Sequence, residues 1–364
     1  MRADLRLLRF VACALLGATS PCQGAPERAF PTLVGSHGNG SLHFDAFRRL
    51  GFGNFVWIPK TNCPEGLAHG LGYPESGWGL QHREAVLRYA EDAAAAGFSF
   101  MVSARRGLGD AVRAGGPDHG GDGSGELLAE DLVRELKARH GDRFVGLHLE
   151  EMDIDFVQNG ARPPYRRRAD LPAIYAFRTR SEGRRRFEAE MRRLCDRYHR
   201  WGVRALPNCA MGLQHSAYRA GADLVLGELG EHLPSTSVQL AYLRGAGAQF
   251  GRPWGVWVSP WYRGTVASED TSLWRAAWAK PGGGHTASDF ERHALLALFS
   301  GAAIVTHQCT EPVLRRGAGG ALEPAAWGRV LQRVARLSRT LRLRRASPAR
   351  VAGVYLAEVE GTRT

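Results

Sequence analysis

From Pro31 onward the chain alternates short apolar runs with longer amphipathic stretches, and it does so eight times. The apolar runs fall at 32–36, 54–59, 98–103, 144–150, 203–208, 224–228, 254–259 and 302–308. Amphipathic stretches predict helices over 41–50, 82–96, 126–140, 181–201, 235–249 and 288–300, with one more at 325–341 after the eighth run. Runs this short, rich in Val, Leu and Phe, read as strands buried on both faces. Strands that alternate with helices call for a parallel sheet, because each crossover must return the chain to the same edge. Eight repeats favour closure into a barrel, and no GxGxxG follows the first run to suggest an open dinucleotide-binding sheet.

The loops support that reading. Connections from helix to next strand are tight, at Gly51-Phe52-Gly53, Gly97, Gly202, Gly221–Asp223 and Gly251–Pro253. Connections from strand to next helix are long, at 60–81, 104–125, 151–180 and 260–287. A barrel enzyme keeps its stable floor on the first set and builds its site from the second. The expected fold is therefore α/β, a (β/α)8 TIM barrel over residues 25–345, with a short C-terminal β extension over 346–364. There RVAGVYLAE (350–358) reads as a further strand. Ser41, Ser181, Ser235 and Ser288 stand where a helix N-cap hydroxyl is wanted. Gly51, Gly97, Gly202 and Gly251 stand where helices should stop.

Residues 1–24 have a different layout: Arg2, Arg6 and Arg9, then an apolar segment, then small residues. That is the pattern of a secretory signal, too short to span a bilayer. The expectation is export to the periplasm or the medium, with no membrane span in the rest of the chain. Charge tempts a nucleic-acid reading, since the formal net charge is +12. Yet 45 arginines against 3 lysines signal a compositional bias, and no nucleic-acid motif accompanies them, so no nucleic-acid partner is expected. Outside the signal the cysteines are Cys63, Cys195, Cys209 and Cys309, and none has zinc or redox spacing. Cys195 shares an apolar helical stripe with Phe187, Met191, Leu194 and Tyr198 and reads as core.

Two apolar runs end on glutamates. In 144–150, Gly146, His148 and Glu150 share one face, while Val145, Leu147, Leu149 and Glu151 share the other. In 224–231, Leu224, Leu226 and Glu228 share a face. Glu150 and Glu228 thus arrive at the strand ends where barrel enzymes keep their chemistry. A carboxylate pair suits glycosidic cleavage, because one group protonates the leaving oxygen while the other attacks or activates water. Glu150 is assigned as general acid and Glu228 as nucleophile or base, in a site that takes a carbohydrate substrate and calls for no cofactor and no metal. Candidate substrate-binding residues around them are His37, His148, Glu151, Asp153, Asn208, Glu231, Trp257, Trp261, Gln308 and Glu311, with Ser259 beside them. Asp153 and Asp155 add negative charge that would raise the pKa of Glu150, as an acid requires. Aromatic residues of the long loops, Tyr73, Trp78, Trp261, Tyr262, Trp274 and Trp278, offer faces for sugar rings. The competing reading pairs each glutamate with an arginine such as Arg105, Arg106 or Arg204. A metal site from His37, His148, Asp153 and His307 is a weaker alternative, since no His-x-His or HExxH is present.

Residues 224–262, LVLGELGEHLPSTSVQLAYLRGAGAQFGRPWGVWVSPWY, resemble a segment of TIM-barrel glycoside hydrolases related to the β-galactosidase group. The resemblance rests on Arg244, Gly245, Ala246, Gly251, Pro253, Trp254 and Gly255. It implies a helix leading through a glycine turn into the next barrel strand, and a carbohydrate-active function. The clan pattern has Asn-Glu after strand four and an acid after strand seven. Here Leu149-Glu150 and Ser259-Pro260-Trp261 stand at those places. The clan's catalytic pair is therefore not carried over. A non-catalytic carbohydrate-binding barrel and a metal-dependent hydrolase are the alternatives.

Overall fold

The computed structural model describes residues 32–38, 41–58, 83–105, 128–149, 153, 177–210, 212–230, 236–270 and 279–340. In chain order its strands are β1 (Leu33–His37), β2 (Phe55–Ile58), β3 (Ser99–Arg105), β4 (Phe144–Leu149), β5 (Ala205–Cys209), β6 (Val225–Leu229) and β7 (Trp254–Val258). Then come the short β8 (Val266–Ala267) and β9 (Ala279–Lys280), β10 (Ile304–His307), and the hairpin pair β11 (Leu314–Arg316) and β12 (Leu322–Pro324). Helices are α1 (Ser41–Leu50), α2 (Arg83–Ala95), α3 (Glu130–His140), α4 (Arg180–Arg200), α5 (Gln214–Arg219), α6 (Thr236–Phe250), α7 (Ala287–Phe299) and α8 (Ala326–Thr340).

Strands β1, β10, β7, β6, β5, β4, β3 and β2 pair in that order and close into a barrel. Their pairings are parallel throughout. Each barrel strand is followed by a helix, which makes this a (β/α)8 TIM barrel. The helices dock because their apolar residues recur at helical spacing. In α8, Trp327, Val330, Leu331, Val334 and Ala335 are buried. On the opposite face Arg333 reaches α7, forming paired hydrogen bonds to Glu291 at 2.8 and 2.9 Å.

Helix starts differ from expectation. The caps are Thr179, whose Oγ1 accepts from Glu182 N at 3.1 Å, and Thr286, whose Oγ1 accepts from Asp289 N at 3.2 Å. Ser181 and Ser288 lie inside the first turn instead, and the Ser181 hydroxyl accepts from Arg185 at 2.9 Å. Each threonine precedes an acid by three residues, so it can form the reciprocal pair that a serine two places on cannot. Ser41 opens α1, and Ser235 lies outside the described residues. Helix stops agree with expectation: Gly51, Gly97, Gly202 and Gly251 all have φ between 63° and 89°.

Which residues face the barrel interior follows from packing. Val225 and Leu229 belong to the helix-facing core. A Cβ on Gly227 would sit 2.7 Å from Leu243 of α6. Leu226 and Glu228 therefore point inward. Strand β4 needs a correction to simple alternation: Phe100 pairs with Phe144 but Met101 pairs with Gly146, so Val145 is an extra residue. Gly146, with φ 152°, absorbs the bulge. Val145 is absent from the core that holds Leu147 and Leu149. The bulge resets the parity and turns His148 inward although Phe144 faces the helices.

Following the register around the ring with the stagger of an eight-stranded barrel sorts the inward residues into tiers. Trp57, His148, Leu226 and Thr306 share one. His37, Ser103, Asn208 and Trp257 form the next tier toward the C-terminal ends of the strands. Glu228 and Gln308 stand above those. Contacts agree with this order: Trp57 Nε1 donates to Ser103 Oγ at 2.9 Å, and the Trp57 ring lies 4.8 Å from His148 and 4.6 Å from both Trp257 and His37.

Candidate active site

The throat of the barrel is floored by aromatic rings. Trp57 and Trp257 are 2% and 1% exposed, and His148 lies 5.4 Å from Trp257 and is fully buried. Trp257 pairs in register with Glu228 across β6 and β7. Glu228 is only 2% exposed. Its carbonyl accepts from Gln239 Nε2 of α6 at 2.9 Å, which pins the end of β6. The register thus carries Glu228 to the C-terminal mouth, one tier beyond Trp257 and two beyond Trp57.

Around it stand polar atoms that no described protein group satisfies. Asn208 is fully buried, and neither its Oδ1 nor its Nδ2 has a hydrogen-bond partner among the described residues. The same holds for Trp257 Nε1, Thr306 Oγ1 and Gln308 Oε1. Buried polar groups are otherwise almost always paired, and each orphan costs free energy. Here they cluster on β5, β7 and β10, flanking Glu228 on β6. Such a cluster suits a ligand, or water in its place, that offers several hydroxyl groups to one small volume.

The remaining described candidates ring the same mouth. His37 is half-buried at the end of β1, its Nδ1 3.5 Å from Thr310 Oγ1, and Thr310 donates to the His37 carbonyl at 3.1 Å. The turn after β10 thereby folds over β1 and carries Glu311, which is 6% exposed. Asp153 is fully buried, and its Oδ1 accepts from Ala210 N, just beyond β5, at 3.0 Å. Trp261 is half-buried, its amide 3.4 Å from Ser259 Oγ. Glu150, Glu151 and Glu231 lie outside the described residues, as do Tyr73, Trp78, Asp155, Trp274, Trp278 and the 350–358 run.

Two alternatives change with these positions. Arg204 precedes β5, is exposed, and stands at the opposite end of the barrel from Glu228, so it cannot brace that carboxylate. His307 points outward. Its Nε2 lies 2.9 Å from Ser36 Oγ, its Nδ1 3.1 Å from the Gln308 carbonyl, and its ring packs on Phe290 and Trp327. Burial holds its pKa down at about 4. His307 and the inward His148 therefore do not share a site. Among the described residues no His, Cys, Asp and Glu group is arranged to hold a metal ion.

With this geometry in hand, comparison with known proteins adds little beyond the barrel. No family profile matches the sequence, and no curated protein matches it. Among solved structures, GH5_18 from Streptomyces cattleya in complex with GlcNAc aligns at 16% identity over 82% of this chain and 74% of that one, with a TM-score of 0.45. A psychrophilic glycoside hydrolase family 10 endo-β-1,4-xylanase aligns at 10% identity over 83% and 96%, TM-score 0.41. D-psicose 3-epimerase aligns at 9% identity over 82% and 92%, TM-score 0.39. These neighbours are TIM barrels, several of them glycoside hydrolases, with epimerases and aldolases also represented. At this distance they carry no argument about chemistry.

Sequence reasoning missed Trp57, Ser103 and Thr306. Trp57 sits in the run Phe-Val-Trp-Ile, which is apolar on both faces, so alternation gives no inward signal. Tyr218 shows why an aromatic alone is a poor marker. Its hydroxyl donates to the Pro253 carbonyl at 2.7 Å and accepts from Val225 N at 3.2 Å, a purely structural bridge. Among the described residues Cys195, Cys209 and Cys309 are buried, and burial pushes the Cys195 thiol up to about 12.

Proposed function

We propose that the protein is an exported glycoside hydrolase that cleaves O-glycosidic bonds of an oligo- or polysaccharide. The observation that carries this reading is the buried carboxylate of Glu228 above an aromatic floor, among the unsatisfied polar atoms of Asn208, Trp257, Thr306 and Gln308. Sugar rings present apolar C–H faces to indoles and hydroxyls to amides, so one ligand class meets both demands. A carboxylate in that setting suits chemistry at an anomeric carbon. We assign Glu228 as nucleophile or base and Glu150, which follows the sequence alternation of Gly146 and His148, as the acid. The two-carboxylate scheme then uses only these two side chains and water. If the pair acts by retention, Glu228 attacks C1, Glu150 gives its proton to the leaving oxygen, and water returns both groups to their starting states. If by inversion, Glu228 takes a proton from the water that attacks C1 while the C1–O bond breaks and Glu150 protonates the leaving oxygen.

The test is an assay of the full chain against aryl glycosides, xylan, mannan, β-1,4-glucan and galactan, scored by released reducing ends with chelator present. Glu150→Gln and Glu228→Gln should each lower turnover by at least about a hundredfold, the lower bound for lost acid–base catalysis. Turnover that survives both substitutions would overturn the assignment. Activity abolished by chelator would point to the metal-dependent alternative. Binding without any turnover by the parent would favour a carbohydrate-binding barrel.

A further inference from the structure

Between the ends of β6 and β7 and the starts of α6 and α7 lies an open cavity of about 430 Å³. Gly230 forms part of its wall, two residues beyond Glu228 on the exit of the same strand. At φ 116°, with a Cβ that would fall 3.0 Å from the Ser259 carbonyl, this position admits glycine and little else. The volume falls within the roughly 300–1,000 Å³ of small-molecule sites.

One wall is aromatic and held in place. The backbone bonds between Tyr262 and Thr265, at 3.0 and 3.1 Å, close a tight hairpin whose central residues Arg263 and Gly264 have φ of 50° and 71°. Positive φ at both positions defines the type I′ turn, and an arginine there is uncommon. This hairpin leaves Tyr262 49% exposed, with the Arg263 guanidinium 5.2 Å from its ring and His285 5.6 Å away. His285 is fixed from three sides. Its amide donates to the Pro260 carbonyl at 2.9 Å, its Nε2 meets the Gly230 carbonyl at 3.0 Å, and its own carbonyl accepts from Trp327 Nε1 at 3.2 Å.

The facing wall is polar and paired. Thr286 Oγ1 donates to Asp289 Oδ2 at 2.8 Å, and Arg292 donates to Asp289 Oδ1 at 3.0 Å. A coupled Arg–Asp pair puts donors and an acceptor side by side, the arrangement that two neighbouring hydroxyls of one ring can satisfy together.

We propose that this cavity is a substrate subsite, taking the sugar unit next to the one processed at Glu228, with its ring stacked on Tyr262 and its hydroxyls on the Asp289–Arg292 pair. The proposal rests on the hydrolase reading for its substrate class. Among the described residues the other large exposed hydrophobics are Val238 of α6 and Leu296 and Phe299 of α7, all on helices. Tyr262 combines exposure, a constrained backbone and a polar wall beside the same cavity.

The test uses the full chain carrying Glu228→Gln, titrated calorimetrically with xylohexaose, cellohexaose, mannohexaose and chitohexaose. A hexasaccharide that binds should lose about tenfold in affinity when Tyr262→Ala is added, the size of a stacking contribution, and keep its affinity within about threefold in Tyr262→Phe. The corresponding monosaccharide should be indifferent to both changes. Equal affinity in Tyr262→Ala, or no binding of any hexasaccharide, overturns the subsite. Turnover by the parent separates the two readings. Cleavage with Tyr262-insensitive binding leaves the hydrolase and removes the subsite, whereas Tyr262-dependent binding without cleavage does the reverse.

Discussion

Replacing Asn208 by leucine should make the protein more stable and less active, and both halves follow from the same buried amide. Asn208 is fully buried on β5, and neither Oδ1 nor Nδ2 finds a partner among the described residues. An unsatisfied buried polar group costs about 1–3 kcal/mol. Leucine has the same branched skeleton, so Asn208→Leu removes two such groups without opening a cavity. The added methyl bulk in a packed throat returns part of that gain, since overpacking costs about 1–3 kcal/mol. A net stabilisation of about 1–3 kcal/mol remains, from two relieved groups against one overpacking cost. Urea unfolding followed by far-ultraviolet circular dichroism reads this as a raised midpoint with an unchanged slope. Turnover on whichever glycoside the parent cleaves should fall at least about tenfold, because losing one good hydrogen bond to substrate has that worth. A variant less stable than the parent would mean that the amide is already satisfied and serves the fold. Unchanged turnover would remove Asn208 from the site.

Other consequences are smaller in scope. Gly255 faces the interior, where an added Cβ would lie 2.8 Å from Ile304 Cβ and from Leu226 Cδ2. Gly255→Ala should therefore lower the urea midpoint by an amount equivalent to about 1–3 kcal/mol, the usual cost of overpacking, and an unshifted midpoint would contradict the tier assignment. His307 has its pKa lowered by burial from 6.5 to about 4. The unfolded chain then binds the extra proton first, so stability is fully present above pH 6.5 and is lost as pH falls toward 4. His307→Gln should shrink that acid-side loss by up to about 3 kcal/mol. Denaturant curves at several pH values check it, and an identical pH dependence in parent and variant would refute it. His215 and His293, also lowered by burial to about 4, should add to the same slope.

Much of the architecture was legible because it is written in periodicity. Barrel strands begin and end within about two residues of the apolar runs, in line with the uncertainty of any boundary, since a strand buried on both faces leaves no polar interruption to confuse its limits. The glycine stops were legible for a different reason: a left-handed residue is needed where a helix turns into a strand, and few residues but glycine tolerate it. Gly247, Gly251 and Gly255 are set by steric need at the turn from α6 into β7. A Cβ on Gly247 would meet the Arg252 carbonyl at 2.9 Å, Gly251 has φ 63°, and Gly255 has no room inside the barrel. Helix α5 was not legible, because six residues are too few to display a 3.6-residue period. The capping threonines were legible in principle from Thr179-x-x-Glu182 and Thr286-x-x-Asp289, but nearby serines offered the same chemistry one half-turn late.

The site divides along similar lines. Glu228 was legible because it ends an apolar run whose neighbours face the helices. His148 was assigned inward correctly, yet a bulge at Val145 sets its direction, and bulges leave little trace in sequence beyond a glycine. His307 shows how one residue decides the outcome: Thr306 faces the throat, and the histidine beside it faces Phe290 and Trp327. Tyr262 and His285 are separated by more than twenty residues and meet only because a hairpin and a pinned loop bring them to one wall.

The measurement that bears most directly on the account is the turnover of Glu228→Gly on the parent's own substrate, with and without added azide. The account predicts a loss of at least about a hundredfold. It also predicts partial recovery with azide as the small anion fills the vacated place and, if Glu228 is the nucleophile, appears in the product as a glycosyl azide. A Glu228→Gly protein that folds like the parent and cleaves at the parental rate would contradict it.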